Sequence, residues 1–436
     1  METLIKKLAN AKTGEVKALL WSFAYFFFLL STYYMLQPLR DAMGSEGGTR
    51  NLSWLFAATF AATLITVPFQ SALAARLPRS TFIPVVYLFL VANMLVFWFL
   101  MRSNIAVVGV ARAFFIWTTV FSVFTVSVFW SFMADLYSSE QSKRLFGFIG
   151  AGGSIGSILG PFIVKQLVDP IGVANLLLVS SLLLVLAVIC ANRLERAAAE
   201  AQAATEGFVA ASASRPKAVG GGMFDGFGLL FKSGYLGGIG LWVFLLSFAG
   251  TFLYFILQGV VADAGLDAAA RAKFFANIAQ WVGILSLIVQ ILATGRIISA
   301  IGTGMSAALV ALVFVVGFLA LAVSPLLAAP LLSIAAIFQV AQRSTTFGIA
   351  NLARESLWTV VSREEKFKAK NIIDGAVFRG ADAVNAQIYD LFAKVIMMGV
   401  PGLAIIGAGA AAGWVALSLG LGKAQEKRAR EAAAPK

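Results

Sequence analysis

The chain has 436 residues, 60% of them apolar and 13% charged, with a formal net charge of +13. No soluble domain buries that much apolar surface, and the repeated runs of about 20 apolar residues read as membrane-spanning helices; they are long and do not alternate, which excludes a barrel. Histidine is absent and Cys190 is the sole cysteine, which excludes an intramolecular disulfide, a histidine-based metal centre and a Ser-His hydrolase.

In chain order, a polar and basic start, METLIKKLANAKTGEVK, lacks the features of a cleavable signal peptide. Apolar spans follow at roughly 18–40, 52–74, 81–101, 105–133, 144–168 and 173–191. Residues 192–237 break the pattern: NRLERAAAEAQAA is helix-prone and SASRPKAVGGGMFDG reads as flexible. Six more spans are expected at roughly 238–260, 274–294, 298–323, 329–358, 370–396 and 401–422. The predicted fold class is therefore an all-α integral membrane protein of about twelve transmembrane helices. It divides into an N-terminal half (1–191), a cytoplasmic linker (192–237), a C-terminal half (238–422) and a cytoplasmic tail (423–436).

Orientation comes from the basic residues. With a cytoplasmic N-terminus, about 24 of the 34 Lys and Arg fall on the cytoplasmic side, including Lys6, Lys7, Arg76, Arg79, Arg363, Lys366, Lys427 and Arg428. An even number of spans with both termini inside satisfies this bias. The positive charge is explained by the same loop rule, so the expected surroundings are a lipid bilayer, with no nucleic-acid partner.

Shifting the chain by 225 residues lays SSEQSKRLFGFIGAGG, from Ser138, over REEKFKAKNIIDGAVF, from Arg363; Glu140 meets Glu365 and Lys143 meets Lys368. Both segments lead into spans that start on the same side, the fifth and the eleventh. Parallel repeats of six helices resemble the architecture of the major facilitator superfamily. The fifth span contains GAGGSIGSILGPF, whose small residues allow helix backbones to approach closely. Its GSILGP portion also resembles the glycine-proline signature of antiporters in that superfamily.

Charges at membrane depth are expensive and mark cavities or partners. Arg40 lies near the end of the first span and Arg112 about a third of the way into the fourth, while Arg343 sits near the middle of the tenth. Arg379 follows Lys370 by about 13 Å of helical rise, which brings it near the midplane. At 100° per residue, Asp374, Asp382, Asn385 and Tyr389 share an arc with Arg379 at its edge. Gln339, Arg343 and Thr346 share a second face. Arg343 and Arg379 are candidate receivers of an anion, because guanidinium groups match phosphate or carboxylate bidentately. Arg379 has a local alternative, an ion pair with Asp382 or Asp374.

Three segments resemble the ATP:ADP antiporter family of bacterial and plastid nucleotide transporters: YYMLQPLRDAMG, EQSKRLFGFIGAGGSIGS and WTVVSREEKFKAKNIIDGAVFRG. The resemblance implies exchange or uptake of nucleotides or related anions across a bacterial inner membrane, with no cofactor, no metal and no enzymatic step. It carries Arg40 and Asp41, Lys143 and Arg144, and Lys368, Lys370 and Asp374 into the family's motifs. Met43 stands where the family's exchangers place a further basic residue, and Gln258-Gly259 stands in the seventh span where they carry acidic and basic charges.

The expected function is an alternating-access carrier of a small organic anion, nucleotide-like, acting as a monomer. Substrate contact is assigned to Arg343, Arg379, Arg40, Lys370, Asp374, Asp382, Gln258 and Gln339. A cytoplasmic gate is assigned to Glu140, Glu364 and Glu365 pairing with Lys143, Arg144 and Lys368. The alternative is a proton-coupled transporter of a neutral or amphipathic molecule, using Asp374 or Asp382 as the proton site.

Overall fold

The computed structural model describes residues 12, 15–45, 52–76, 79–103, 105–203, 233–292, 294–326, 330–362, 369–370, 372–373 and 377–433. Among these there are helices and turns and no strand. The central helices are α1 (Val16–Gly44), α2 (Leu52–Arg76), α3 (Arg79–Arg102), α4 (Val107–Leu136) and α5 (Ser139–Ala203). Then come α6 (Gly234–Asp263), α7 (Ala268–Leu292), α8 (Thr294–Val323), α9 (Leu331–Thr345), α10 (Asn351–Leu357), α11 (Phe378–Asp390) and α12 (Val400–Ala433).

Eight helices among the described residues are long and apolar enough to cross a membrane. One of them, Arg144–Ala198, has 55 residues. That is about 80 Å of helical rise, enough for two crossings. Gly172 breaks it with φ 80 and ψ 164, a conformation open to glycine, so the fifth and sixth expected spans run on from each other through one residue. The tenth expected span is also composite. α9 passes into a π-helical turn, Thr346–Ala350, then α10 and a 3₁₀ turn, Trp358–Val360. α11 likewise ends in a π turn, Leu391–Val395. The expected linker falls mostly on residues 204–232, outside the described residues; its start, residues 192–203, continues α5.

The chain packs as two compact units. The first comprises Met1–Glu46, Ala61–Lys217 and Leu266–Gln280; the second comprises Gly47–Phe60, Ala218–Gly265 and Trp281–Lys436.

In the first unit α1 lies against α5 at backbone distance. A Cβ added at Gly152, Gly156 or Gly160 would stand 2.5, 2.5 or 2.6 Å from the carbonyl oxygens of Phe23, Phe27 and Ser31. Two four-residue repeats face each other, so the glycine stripe serves close packing, as small residues do between membrane helices. Around this seam Phe26 stacks on Phe129 at 4.2 Å, and Tyr25 donates to Tyr87, which in turn donates to the Thr125 carbonyl. The start of α7 belongs to this unit, held by Lys165 Nζ on Asn277 Oδ1 and Gln280 Oε1 (both 3.1 Å) and by the Lys273–Asp169 ion pair.

In the second unit α8 and α12 meet through facing glycines. A Cβ at Gly304 would stand 2.7 Å from Gly422 Cα. Trp242 lies edge-on to Trp414 and donates to Ser418 Oγ at 3.0 Å, satisfying its indole N–H. The start of α2 belongs here: Ser53 donates to Asp390, and Phe56 packs on Tyr254 and Phe255.

Candidate functional site

The polar face of α11 carries Arg379, Asp382 and Asn385. Apolar packing against α6 sets its rotation, with Tyr389 between Phe252 (5.3 Å) and Phe255 (4.9 Å). This brings Asn385 and Asp382, one and two turns earlier, against Ser247. Ser247 Oγ donates to Asp382 Oδ1 at 2.6 Å and accepts from Asn385 Nδ2 at 3.1 Å. Asn385 is fully buried, and its Oδ1 has no hydrogen-bond partner among the described residues. Asp382 keeps 24% of its side chain exposed and Arg379 34%, and their nearest charged atoms are 3.9 Å apart. That separation allows attraction without a hydrogen bond. The described part of the expected arc divides by charge: the neutral Asn385 and Tyr389 are sealed against α6, while Arg379 and Asp382 stay at its wet edge. Asp374 lies outside the described residues.

Lys370 is engaged by Glu355 of α10, with Nζ 2.5 Å from Oε2. Arg343 is different. It is half-buried on α9, 12 residues after Leu331 and 14 before Leu357, and no partner meets it among the described residues. Gln339, one turn earlier, is buried with Oε1 unpartnered. The π turn that starts at Thr346 follows directly, and Gln342 Nε2 donates to Thr346 Oγ1 at 3.2 Å. Such turns change the rotational register of a helix and recur at functional sites. On α6, Gln258 is fully buried, and neither amide atom has a hydrogen-bond partner among the described residues.

In the first unit, Arg40 is committed to its neighbour. Nη2 and Nε lie 2.7 and 3.0 Å from Asp41 Oδ1, Nη1 donates to Thr119 Oγ1 at 3.3 Å, and the guanidinium lies over the Phe115 ring. Arg144 forks onto Glu15 at the start of α1 (3.0 and 3.2 Å), and Gln141 donates to the same carboxylate at 2.9 Å. Burial pushes the Glu15 carboxyl up, but hydrogen bonds from Arg144, Gln141 and the Lys12 N–H outweigh it and hold Glu15 below its ordinary value of 4.5. Glu140 is exposed, 3.6 Å from Lys12 and 3.9 Å from Arg144. Of the remaining expected gate residues, the Lys143 side chain and Glu364, Glu365 and Lys368 lie outside the described residues.

Sequence reasoning missed Glu15, Glu355 and Ser247. Glu15 sits where a helix start favours an acid, a usable signal. Ser247 is an isolated hydroxyl in an apolar run and gives none.

The sequence profile of the major facilitator superfamily matches residues 18–360. No curated protein matches the chain by sequence. Among solved structures, a bacterial homologue of the iron transporter ferroportin, in an inward-facing state, superposes with a TM-score of 0.65 at 10% identity, covering 93% of this chain and 99% of that one. The nucleoside transporter NupG gives 0.60 at 13% identity, covering 94% and 99%. A bacterial metal transporter gives 0.58 at 10% identity, covering 94% and 98%. At these identities the likeness is one of fold.

Proposed function

The chain belongs to the major facilitator superfamily, and we propose that it is an alternating-access carrier of an organic anion, with nucleotides and related phosphorylated metabolites as its substrate class. The observation that carries this reading is Arg343, a half-buried arginine in the middle of a composite helix with no partner among the described residues. Holding an unpaired guanidinium at membrane depth costs about 3 kcal/mol. A cost of that size is sustained where a ligand of opposite charge supplies the partner in part of the cycle. Arg379, 3.9 Å from Asp382 and not hydrogen-bonded to it, is the second available guanidinium.

The motif resemblance to nucleotide antiporters points to the same substrate class. Met43 and Gln258-Gly259 withhold charges that those exchangers carry, so a substrate with fewer phosphates than ATP fits this chain better. Residues 1–191 and 238–422 are taken as the two six-helix halves, in a monomer with both termini cytoplasmic in a bacterial inner membrane, following the loop-charge bias.

The test is uptake of labelled ATP, ADP, AMP and inorganic phosphate into proteoliposomes, with and without the same compound inside. Trans-stimulated uptake of at least one, lost in Arg343→Ala and partly kept in Arg343→Lys, is expected. Folded protein that moves none of the four while moving neutral solutes would overturn the reading.

A further inference from the structure

Arg379 and Asp382 set a conflict that the transport of an anion must resolve. Their side chains lie on one edge of α11, both partly exposed, with Nη1 3.9 Å from Oδ2. An anion that docks on Arg379 therefore comes within a few ångströms of a carboxylate of its own sign. In a partly shielded site, like charges about 4 Å apart repel by several kcal/mol. Either the anion binds weakly or the carboxylate gives up its charge.

The surroundings of Asp382 suit the second course. From α6 the group facing it is the Ser247 hydroxyl, and from α11 it is Arg379; Asn385 acts through Ser247. Phe252 and Phe255 continue the α6 face, and Phe60 lies 3.9 Å from where a Cβ on Gly380 would stand. Arg379 is thus the one charged group facing Asp382 among the described residues. The hydrogen bonds run one way, with the Asn385 amide donating to Ser247 Oγ and the Ser247 hydroxyl donating to Asp382 Oδ1. Among the described residues Oδ2 accepts no hydrogen bond, and it faces Arg379 across the 3.9 Å gap. A proton added there leaves the Ser247 bond intact and cancels the charge that, among the described residues, competes for Arg379.

We propose that Asp382 is the proton-coupling residue of the transport cycle, so that one proton and the anion bind together. The proton comes from the solution that supplies the anion. An O–H bond forms at Oδ2, Arg379 is released to the anion, and the O–H bond breaks when both leave on the other side. This rests on the anion-carrier reading above, and it assigns the coupling ion that the reading leaves open.

Two measurements on the purified full chain test it. In infrared difference titration without substrate, a carboxylic-acid band should appear on acidification across the pH range in which the transport assay is run, and it should be missing in Asp382→Asn. In Ser247→Ala its midpoint should move to higher pH, because a donor to the ionised form has been removed. A carboxylate that stays ionised across that window overturns the proposal whatever the substrate proves to be. In proteoliposomes, labelled AMP should accumulate under an inward proton gradient in the wild type. Asp382→Asn should lose that accumulation, and an unchanged size-exclusion profile and thermal unfolding curve report that the variant is folded. Gradient-driven accumulation retained in Asp382→Asn overturns the proposal. Absence of AMP counterflow in the wild type counts against the substrate class alone, and the titration then decides the coupling.

Discussion

Arg144 at the start of α5 holds Glu15 at the start of α1 through two parallel hydrogen bonds, 3.0 and 3.2 Å long. The pair pins the end of the α1–α5 seam, and bidentate geometry makes it stronger than a typical surface pair. The Glu15 carboxyl is held below 4.5 in the folded protein. Its contribution is therefore present in full above the unfolded value and is lost as pH falls through the lower folded one. Glu15→Gln is expected to cost about 1–2 kcal/mol near neutral pH. The difference from wild type should shrink as pH falls below 4.5 and vanish once Glu15 is protonated in the folded protein as well. Thermal unfolding in detergent across pH measures both.

The glycine stripe of α5 makes a sharp contrast within one helix. Gly156→Leu drives a side chain into the Phe27 carbonyl and the Ser31 backbone of α1. A loss of about 3 kcal/mol or failure to fold is expected. Gly150→Ala meets nothing within 4 Å and should be neutral. Size-exclusion profiles after stepwise heating distinguish the two.

Gln258 is buried with both amide atoms unpartnered among the described residues. Replacing an unsatisfied amide by an apolar side chain of similar size removes a desolvation penalty of about 1–3 kcal/mol. Gln258→Leu should thus be at least as stable as wild type. Its transport rate should fall several-fold, as expected of an amide that meets the substrate. Undiminished transport would make it a buried residue without a role in binding.

Arg40 and Asp41 form a shielded pair with 13% and 5% of their side chains exposed. Asp41→Asn keeps an acceptor oxygen but removes the negative charge beside the shielded Arg40 guanidinium, at an expected cost of about 2–4 kcal/mol. The double change Arg40→Met with Asp41→Leu should cost less than the single one. Chemical unfolding of the three proteins gives the order.

What the sequence by itself determined is everything that repeats along one helix. Twenty-residue apolar runs are read directly because lipid leaves no other way to pair backbone groups. The stripe of Gly152, Gly156 and Gly160 was legible from spacing, and so was Asp382 as one of the two candidate partners of Arg379. So was the superfamily. What only the tertiary structure decided is which residues of different helices meet. Arg144 takes Glu15, Lys370 takes Glu355, and Asp382 takes Ser247, each across more than a dozen residues of chain. Such pairings depend on the rotation and axial offset of packed helices, which apolar periodicity leaves open because lipid-facing and helix-facing positions are equally greasy. The π turn after Arg343 shifts that rotation once more, and TFGIA carries no mark of it.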